Sequence, residues 1–452
     1  FYMKKKVVSA LLCATMVATM FAGCGSKESS DNATTPDTSK ADTSSEVTAP
    51  AEDTGKVLNI YCWNEEFKSR ITAHYPDYQE VDATHGKIGD VDVVWNITPN
   101  DDNAYQNNLD ATLLNQADAP ADDKIDLFLV EADYALKYVD TDYTMPIKDL
   151  GITDSDLSKQ YQYTKDIVTD SKGVLKGLSW QGCPGVLFYN RDAAKEVLGT
   201  DDPDKVQESV KDWDTYNDTA KKMKDTGYKM TASANDTYRV YSNNVTSKWV
   251  DGNKINIDDN IMKWVDDSKA QVDAGETGTC DLWSDDWSKG FYPQGKVFCY
   301  FGPAWLVNFS MAADTEGSIG YNGGWGAAQG PQGFFWGGTW ICAAQGTDNA
   351  NLVKDIMLKM TTDDDIMKDI VVDDDDFVNN STVMNGLADG SIKVKDDKEY
   401  TSKILGGQNP LPMYCAGVET LDLSNLSSYD QGCNEEFQNA MKNYFEGKAS
   451  KE

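Results

Sequence analysis

The feature that most constrains the fold is an alternation of apolar, strand-length runs with helix-like segments through a body of about 400 residues. Such alternation is typical of an α/β protein. A body of this length exceeds what one hydrophobic core usually organises, so we expect two lobes. The predicted strands are 57–63, 91–95, 125–130, 185–190, 295–301 and 338–344, the predicted helices are 132–137, 191–198 and 350–360 (the last with Asp348 as its N-cap), and 249–257 is a predicted hairpin.

The segment before the body has a different character. Lys4, Lys5 and Lys6 precede an apolar run, 7–21, which ends in small residues before Cys24. A cationic start, a short apolar stretch and a small-residue cleavage site are typical of a secretory signal. We predict a signal peptide at 1–23, a lipid on Cys24 and a disordered tether over 24–55, because the tether has no aromatic residue and Val47 is its sole branched aliphatic.

The charge of the chain excludes one class of partner. The formal net charge is −33, and phosphate binding needs clustered lysine and arginine, so we expect no nucleic acid partner. The aspartate runs 363–365 and 373–376 lack the alternating ligands and central glycine of a calcium loop. We interpret them as solvated helix ends or loops.

Signatures of catalysis and of metal binding are absent from the sequence. The histidines His74 and His85 have no metal-ligand spacing, and the widely spaced cysteines form no C-x-x-C pair. The segment 177–182 has one residue too many for a nucleophile elbow, and 290–297 lacks the hydroxyl residue of a phosphate loop. We therefore predict a protein that is not an enzyme and that needs no metal and no cofactor.

Four body segments, in order, resemble one family. Segment 58–65 reads Leu-Asn-Ile-Tyr-Cys-Trp-Asn-Glu, and 185–192 is an apolar strand ending in Tyr-Asn-Arg-Asp. Segment 295–305 reads Gly-Lys-Val and then Gly-Pro-Ala-Trp, and 337–344 is a strand before a helix. Following a lipidated cysteine, this order is similar to the extracellular solute-binding lipoproteins of ABC importers, in their carbohydrate-binding branch (family 1, maltose-binding-protein-like).

The resemblance implies a two-lobed periplasmic-binding-protein-like fold with a ligand cleft and a hinge between the lobes. Lobe one would comprise 57–143 and 319–368, and lobe two 144–318 and 369–452. The resemblance also implies a monomer held at the extracellular face of the cell membrane by its lipid anchor alone. This receptor would capture a small-molecule carbohydrate, an oligosaccharide in our reading, and deliver it to the permease subunits of an ABC transporter.

The composition favours a sugar independently of that resemblance. The chain has 12 Trp and 22 Tyr, whose flat faces stack on pyranose rings. Arginine occurs only at Arg70, Arg191 and Arg239, which leaves little material for an anion clamp.

The candidate ligand-binding residues share a position at a strand end or in a turn near the expected cleft. The aromatic candidates are Trp63, Trp180, Trp305, Trp336 and Trp340, with Trp283 and Trp287 in second place, and the polar candidates are Asn64, Glu65, Glu131, Asp133 and Gln181.

Two other functions stay open on the sequence. A polyamine-binding or other cation-binding ABC receptor of the same fold would hold its ligand with carboxylates and aromatic walls. A secreted glycosidase would need only a carboxylate pair in a Trp-lined cleft. The Gly-Pro-Ala-Trp and Gly-Gly-Thr-Trp segments favour a sugar over a polyamine, and the tether with the ordered segments argues against the glycosidase.

Overall fold

The computed structural model of the protein describes residue 50 and residues 52–451. The predicted signal peptide, Cys24 and most of the predicted tether lie outside the described residues. Within them, no helix has both the length and the apolar character that crossing a membrane requires. The end of the predicted tether belongs to the folded body, because the carboxylate of Asp53 accepts the backbone N–H groups of Asn351 and Leu352 at 2.8 and 2.9 Å.

The described residues contain strands and helices in alternation, which confirms the predicted α/β class. The strands are β1 Val57–Cys62, β2 Tyr78–Glu80, β3 His85–Ile88, β4 Val91–Ile97, β5 Leu127–Glu131, β6 Leu178–Ser179, β7 Pro184–Asn190, β8 Val250–Asp251, β9 Lys254–Ile255, β10 Cys299–Gly302, β11 Trp325–Ala328, β12 Phe334–Phe335 and β13 Thr339–Ala343. The α-helices are α1 Glu66–His74, α2 Ala104–Leu113, α3 Ala135–Val139, α4 Gln162–Ile167, α5 Arg191–Leu198, α6 Pro203–Glu208, α7 Trp213–Asp225, α8 Tyr238–Ser242, α9 Asp259–Ala274, α10 Asp285–Ser288, α11 Ala350–Thr362, α12 Asp364–Asp374, α13 Ser381–Asp389, α14 Leu411–Val418 and α15 Asp430–Phe445.

Two sheets organise the two lobes. The first has the order β2-β3-β4-β1-β5-β13-β6, in which β1 runs parallel to β4 and β5 while β13 is antiparallel to β5. The second is built around β7, which pairs antiparallel with β10, β11 and β12 and is buried along its whole length. The carboxyl ends of β1 and β5 meet at one edge of the first sheet, the edge at which open α/β sheets bind ligands.

Three segments connect the lobes. Residues 180–183 lead from β6 of the first sheet to β7 of the second, and residues 336–338 lead back from β12 to β13. Residues 375–380 follow α12, which packs on α1 of the first lobe, and precede α13, which packs on α14 beside β7. Gln181 and Val378 form an isolated β-bridge, so the first and third connections lie side by side. We call these three segments the hinge.

The hinge does not coincide with the lobe borders expected from the resemblance. Strands β11 and β12 lie in the second sheet although they fall within 319–368, and β6 lies in the first sheet although it falls within 144–318. The expected border after 368 falls inside α12. Short buried strands are apolar in both sheets, so their sequence does not indicate which sheet they join.

Most of the predicted elements are confirmed, including the hairpin, now β8 and β9, and the helices α5 and α11. Only 299–302 of the predicted strand 295–301 is a strand, and the predicted helix at 132 begins at Ala135. The N-cap residue of α11 is Asn349 rather than Asp348. Asp53 supplies the oxygens for the first N–H groups of that helix, and a partner so distant in sequence leaves no local capping signal.

The two aspartate runs have different environments. Asp363 caps α12, since its side chain accepts the N–H groups of Asp365 and Ile366, as expected of a helix end. Asp376 in the second run is only 1 % exposed, so the interpretation of that run as solvated is wrong there. Within the described part of the chain, no group of acidic, histidine or cysteine side chains has an arrangement that would hold a metal ion.

Candidate functional site

Three tryptophans on the second lobe and the hinge lie ring to ring. The ring centroids of Trp283 and Trp305 are 6.2 Å apart and nearly parallel, those of Trp283 and Trp336 are 5.7 Å apart, and those of Trp305 and Trp336 are 5.4 Å apart. Trp283 is 53 % exposed, and the other two are half-buried. We call this group the tryptophan triad. It offers a broad apolar surface of the kind that binding clefts present to flat ligands.

The chain holds the triad in place by local packing. The indole N–H of Trp305 donates to the carbonyl oxygen of Trp336 at 3.4 Å. A Cβ at Gly337, whose φ is 71°, would lie 3.2 Å from the Trp305 ring, so a glycine is needed there. Trp283 has a φ of 66°, which is uncommon for a bulky residue, and its ring packs edge-on against the buried Trp287 at 5.0 Å. Such backbone strain is frequently found at functional sites.

An ion pair formed by one residue from each lobe lies next to the tryptophan triad. Arg239 of α8 donates through both terminal nitrogens to the Asp133 carboxylate, with Nη1 2.8 Å from Oδ1. Asp133 follows β5 of the first lobe, so this bidentate ion pair joins the lobes. The guanidinium lies over the Trp336 ring, 5.8 Å from its centroid.

Glu131 lies at the end of β5, next to this ion pair. Its Oε2 accepts the backbone N–H of Asp133 at 2.9 Å. Burial raises the pKa of Glu131 to about 8; the Asp133 charge raises it too, while the Arg239 charge opposes the rise. At neutral pH, Glu131 therefore holds its proton much of the time and can donate as well as accept a hydrogen bond.

A small cavity lies on the side of the ion pair where the lobes meet the C-terminal segment. It has a volume of about 40 Å³ and is lined in part by Asp133, Arg239, Ser242, Asn243, Phe335 and Asp430. The buried Ser242 hydroxyl has no hydrogen-bond partner in the structure. Beyond the cavity, Gln106 and Gln431 join the lobes through a hydrogen bond of 3.2 Å. The lobes therefore touch across the cleft.

The end of β1 contributes a further aromatic residue. Trp63 is half-buried and packs against Tyr105 and Tyr134, with centroids 5.7 and 6.2 Å away. Asn64 accepts the N–H of Glu66 at 3.0 Å and so helps to begin α1. Glu65 is exposed. Trp63 and Glu131 end neighbouring parallel strands, so the structure brings this pair to the same sheet edge.

Three predicted ligand contacts lie in the protein interior instead. Trp180 and Trp340 have no exposed surface; Trp180 stacks on Phe67 at 5.2 Å, and the Trp340 indole donates to the carbonyl oxygen of Thr164 at 2.8 Å. Gln181 is 1 % exposed, and its side chain bonds to Glu66, Asp376 and Thr339. We withdraw these three as ligand contacts, because a side chain surrounded by core residues presents no face to a ligand.

Sequence reasoning placed one member of the site in second rank and missed another. The sequence places Trp283 in second rank with Trp287, since the two flank the acidic pair 285–286. Arg239 enters the sequence argument only as one of three arginines too few for an anion clamp. The one sequence feature that could have indicated its role is the rarity of arginine. In an acidic chain, an arginine has many carboxylates with which it can pair.

Two α/β lobes, a three-segment hinge and an aromatic, acidic cleft between them define a two-lobed solute-binding protein. The fold is similar to several solved structures. An extracellular solute-binding protein of family 1 superposes with a TM-score of 0.67 at 18 % identity, covering 87 % of this chain and 95 % of that chain. The ABC transporter associated binding protein from B. animalis subsp. lactis Bl-04, in complex with beta-1,6-galactobiose, gives 0.63 at 19 %, covering 88 % and 94 %. The galacto-N-biose-/lacto-N-biose I-binding protein of the ABC transporter from Bifidobacterium longum, in complex with lacto-N-biose, gives 0.64 at 12 %, with the same coverage.

The family follows from the sequence itself. The pattern of the bacterial extracellular solute-binding protein family matches residues 87–401, and the chain belongs to that family. No functionally curated protein matches the chain.

Proposed function

We propose that the protein captures an uncharged carbohydrate, an oligosaccharide, between its lobes and delivers it to the permease of an ABC importer. The observation that carries this proposal is the tryptophan triad, a partly exposed aromatic surface beside Glu131 and the Asp133–Arg239 pair. Indole faces stack on the apolar faces of sugar rings, and the acidic groups at the edge take the hydroxyl hydrogen bonds.

The similar structures support the ligand class. Two of those described above were solved with a disaccharide, beta-1,6-galactobiose in one and lacto-N-biose in the other. The ligand class is our inference from the site together with this likeness.

The proposal includes the location and partners expected from the sequence. A signal peptide at 1–23 and a lipid on Cys24 would place the body at the extracellular face of the cell membrane, on a flexible tether. The receptor would act as a monomer without catalysis or cofactor. Ligand contacts on both lobes would favour the closed form, and the permease subunits would recognise that form.

The experiment is a ligand panel on the protein, by thermal shift and calorimetry, with neutral oligosaccharides, monosaccharides, spermidine, putrescine and amino acids. A ligand at 100 times its dissociation constant adds about 2.7 kcal/mol of stability. We expect an oligosaccharide to bind, and Trp283→Ala to weaken its binding about tenfold, because a sugar stacked on this half-exposed ring would lose about 1.4 kcal/mol of contact.

The matched control is Tyr321→Ala, which removes an aromatic ring with 43 % exposure outside the triad. It should leave the affinity unchanged. An oligosaccharide that binds Trp283→Ala as tightly as the wild type would remove the triad from the site. A panel in which no carbohydrate binds would refute the proposed ligand class.

A further inference from the structure

The Arg239 guanidinium occupies a cage of the type that binds a ligand cation. One wall is the Trp336 ring, 5.8 Å from the guanidinium carbon. The Asp133 carboxylate forms a second wall and accepts two hydrogen bonds from the guanidinium. Both side chains of the pair are less than one fifth exposed. An aromatic face combined with carboxylates is the usual recognition element for ammonium groups.

Three further acidic groups lie near this ion pair. Glu131 of the first lobe accepts the backbone N–H of Asp133, Asp430 lines the same cavity as Arg239, and Asp430 and Glu435 both belong to α15. Burial raises the pKa of Asp430 and of Glu435, and the Arg239 charge opposes that rise in both. Asp133 is therefore the direct partner of Arg239, and three further acidic groups lie within range of its charge.

We propose that Arg239 is a specificity-determining residue that fills this cage and thereby excludes cationic ligands from the cleft. This inference rests on the proposed function and deepens it. An incoming ammonium group would have to displace the guanidinium from a bidentate pair, leaving Arg239 partly buried and without its counter-ion. An uncharged sugar pays no such cost, because it needs only hydroxyl contacts and the free faces of the triad.

The same arrangement excludes anions. Both terminal nitrogens of Arg239 already donate to Asp133, so they are not free to bind the carboxylate of an acidic ligand. The cleft therefore selects against both signs of charge, although the whole chain is strongly acidic.

The test replaces the internal cation. Arg239→Met keeps an apolar stem against Trp336 and vacates the charged position, whereas Arg239→Lys keeps a cation there and is the matched control. Spermidine and putrescine are titrated calorimetrically at the same pH into the wild type and each variant. We expect no detectable binding to the wild type or to Arg239→Lys. In Arg239→Met we expect binding at least ten times tighter than the weakest binding that the assay can detect.

The gained binding should weaken between about 0.15 M and about 0.5 M salt, because it is ionic. If Arg239→Met does not fold, Arg239→Gln carries the same test, since it also removes the positive charge and its polar side chain suits the partly buried position better. A folded variant that gains no polyamine binding, while the wild type binds a neutral glycan, overturns this inference and leaves the proposed function standing.

The remaining outcomes are also distinct. Spermidine binding to the wild type overturns both the inference and the carbohydrate assignment. A gain in Arg239→Met with no carbohydrate bound by any form supports the inference and refutes the proposed function. A gain of equal size in Arg239→Lys overturns the inference, because the cage would then admit ligand beside an internal cation.

Discussion

Gln181 connects the parts of the hinge, and replacing it with methionine tests whether the residue is structural or a ligand contact. Its Nε2 donates to Glu66 at 2.8 Å and to Asp376 at 3.0 Å, and its Oε1 accepts the backbone N–H of Thr339 at 3.1 Å. These partners come from α1, from the third hinge segment and from the start of β13. Methionine has a similar length and volume but lacks all three hydrogen bonds.

The cost follows from these partners. A hydrogen bond to a charged group contributes about 1.5 to 3 kcal/mol, and a buried N–H left without a partner costs about 1 to 3 kcal/mol. The two carboxylates would then lose their shared amide donor and keep Arg70 at 3.8 and 3.9 Å. After the apolar gain from methionine, we expect a loss of about 3 to 5 kcal/mol. An unfolding entropy of about 2.1 cal/mol/K per residue over about 400 residues converts this to a melting temperature lower by about 4 to 6 °C.

The assay compares melting curves and glycan affinity for the wild type, Gln181→Met and the control Gln79→Met, which makes the same change at an exposed position of β2. The control should melt within about 1 °C of the wild type, since exposed substitutions usually change stability little. If Gln181→Met melts like the wild type but loses glycan affinity, Gln181 is a ligand contact and the structural reasoning fails.

Two further predictions concern pH and the core. The pKa of Glu66 is raised by burial to about 7 and that of Glu131 to about 8, so their stabilising contribution is complete below the unfolded pKa of about 4.5 and is lost as the pH rises through 7 to 8. The melting temperature should therefore fall between about pH 5.5 and about pH 8.5, and Glu131→Gln should reduce the fall; a flat profile would contradict this. Trp340→Phe should lower stability by about 1 to 3 kcal/mol, since it removes a buried indole donor, and should change glycan affinity less than about twofold; calorimetry that finds the affinity abolished would restore Trp340 as a ligand contact.

The sequence indicates much of the fold because local pattern and burial agree. The run 185–189 has no charged or amide side chain, as expected of a strand covered on both faces, and it forms the centre of the second sheet. The helix α5 begins at Arg191 because Asn190 caps it. Short strands such as β11 and β12 have too few residues for a pattern, and tertiary pairing alone places them.

The site residues are harder to predict than the fold. A predicted strand end gives the position of the backbone but not the direction of the side chain. Glu131 ends β5 and Asp133 follows it, and the two lie beside Arg239 of the second lobe. Trp180 also follows a strand, but its ring turns onto Phe67 in the core. Gln181 looked like a cleft residue because it lies in a turn beside that tryptophan, and the carboxylates that hold it are 115 and 195 residues away.

The arginines show most clearly why counting residues is not enough. Arg70 reaches Asp374 across 304 residues, Arg239 reaches Asp133 across 106, and Arg191 donates to the carbonyl oxygens of Trp325 and Leu405. Each one joins segments distant in sequence. An anionic ligand is disfavoured because the arginine at the cleft already has a partner, and not because the chain has few arginines. A single free guanidinium there would be enough to clamp a carboxylate, but Arg239 already binds Asp133 of the other lobe.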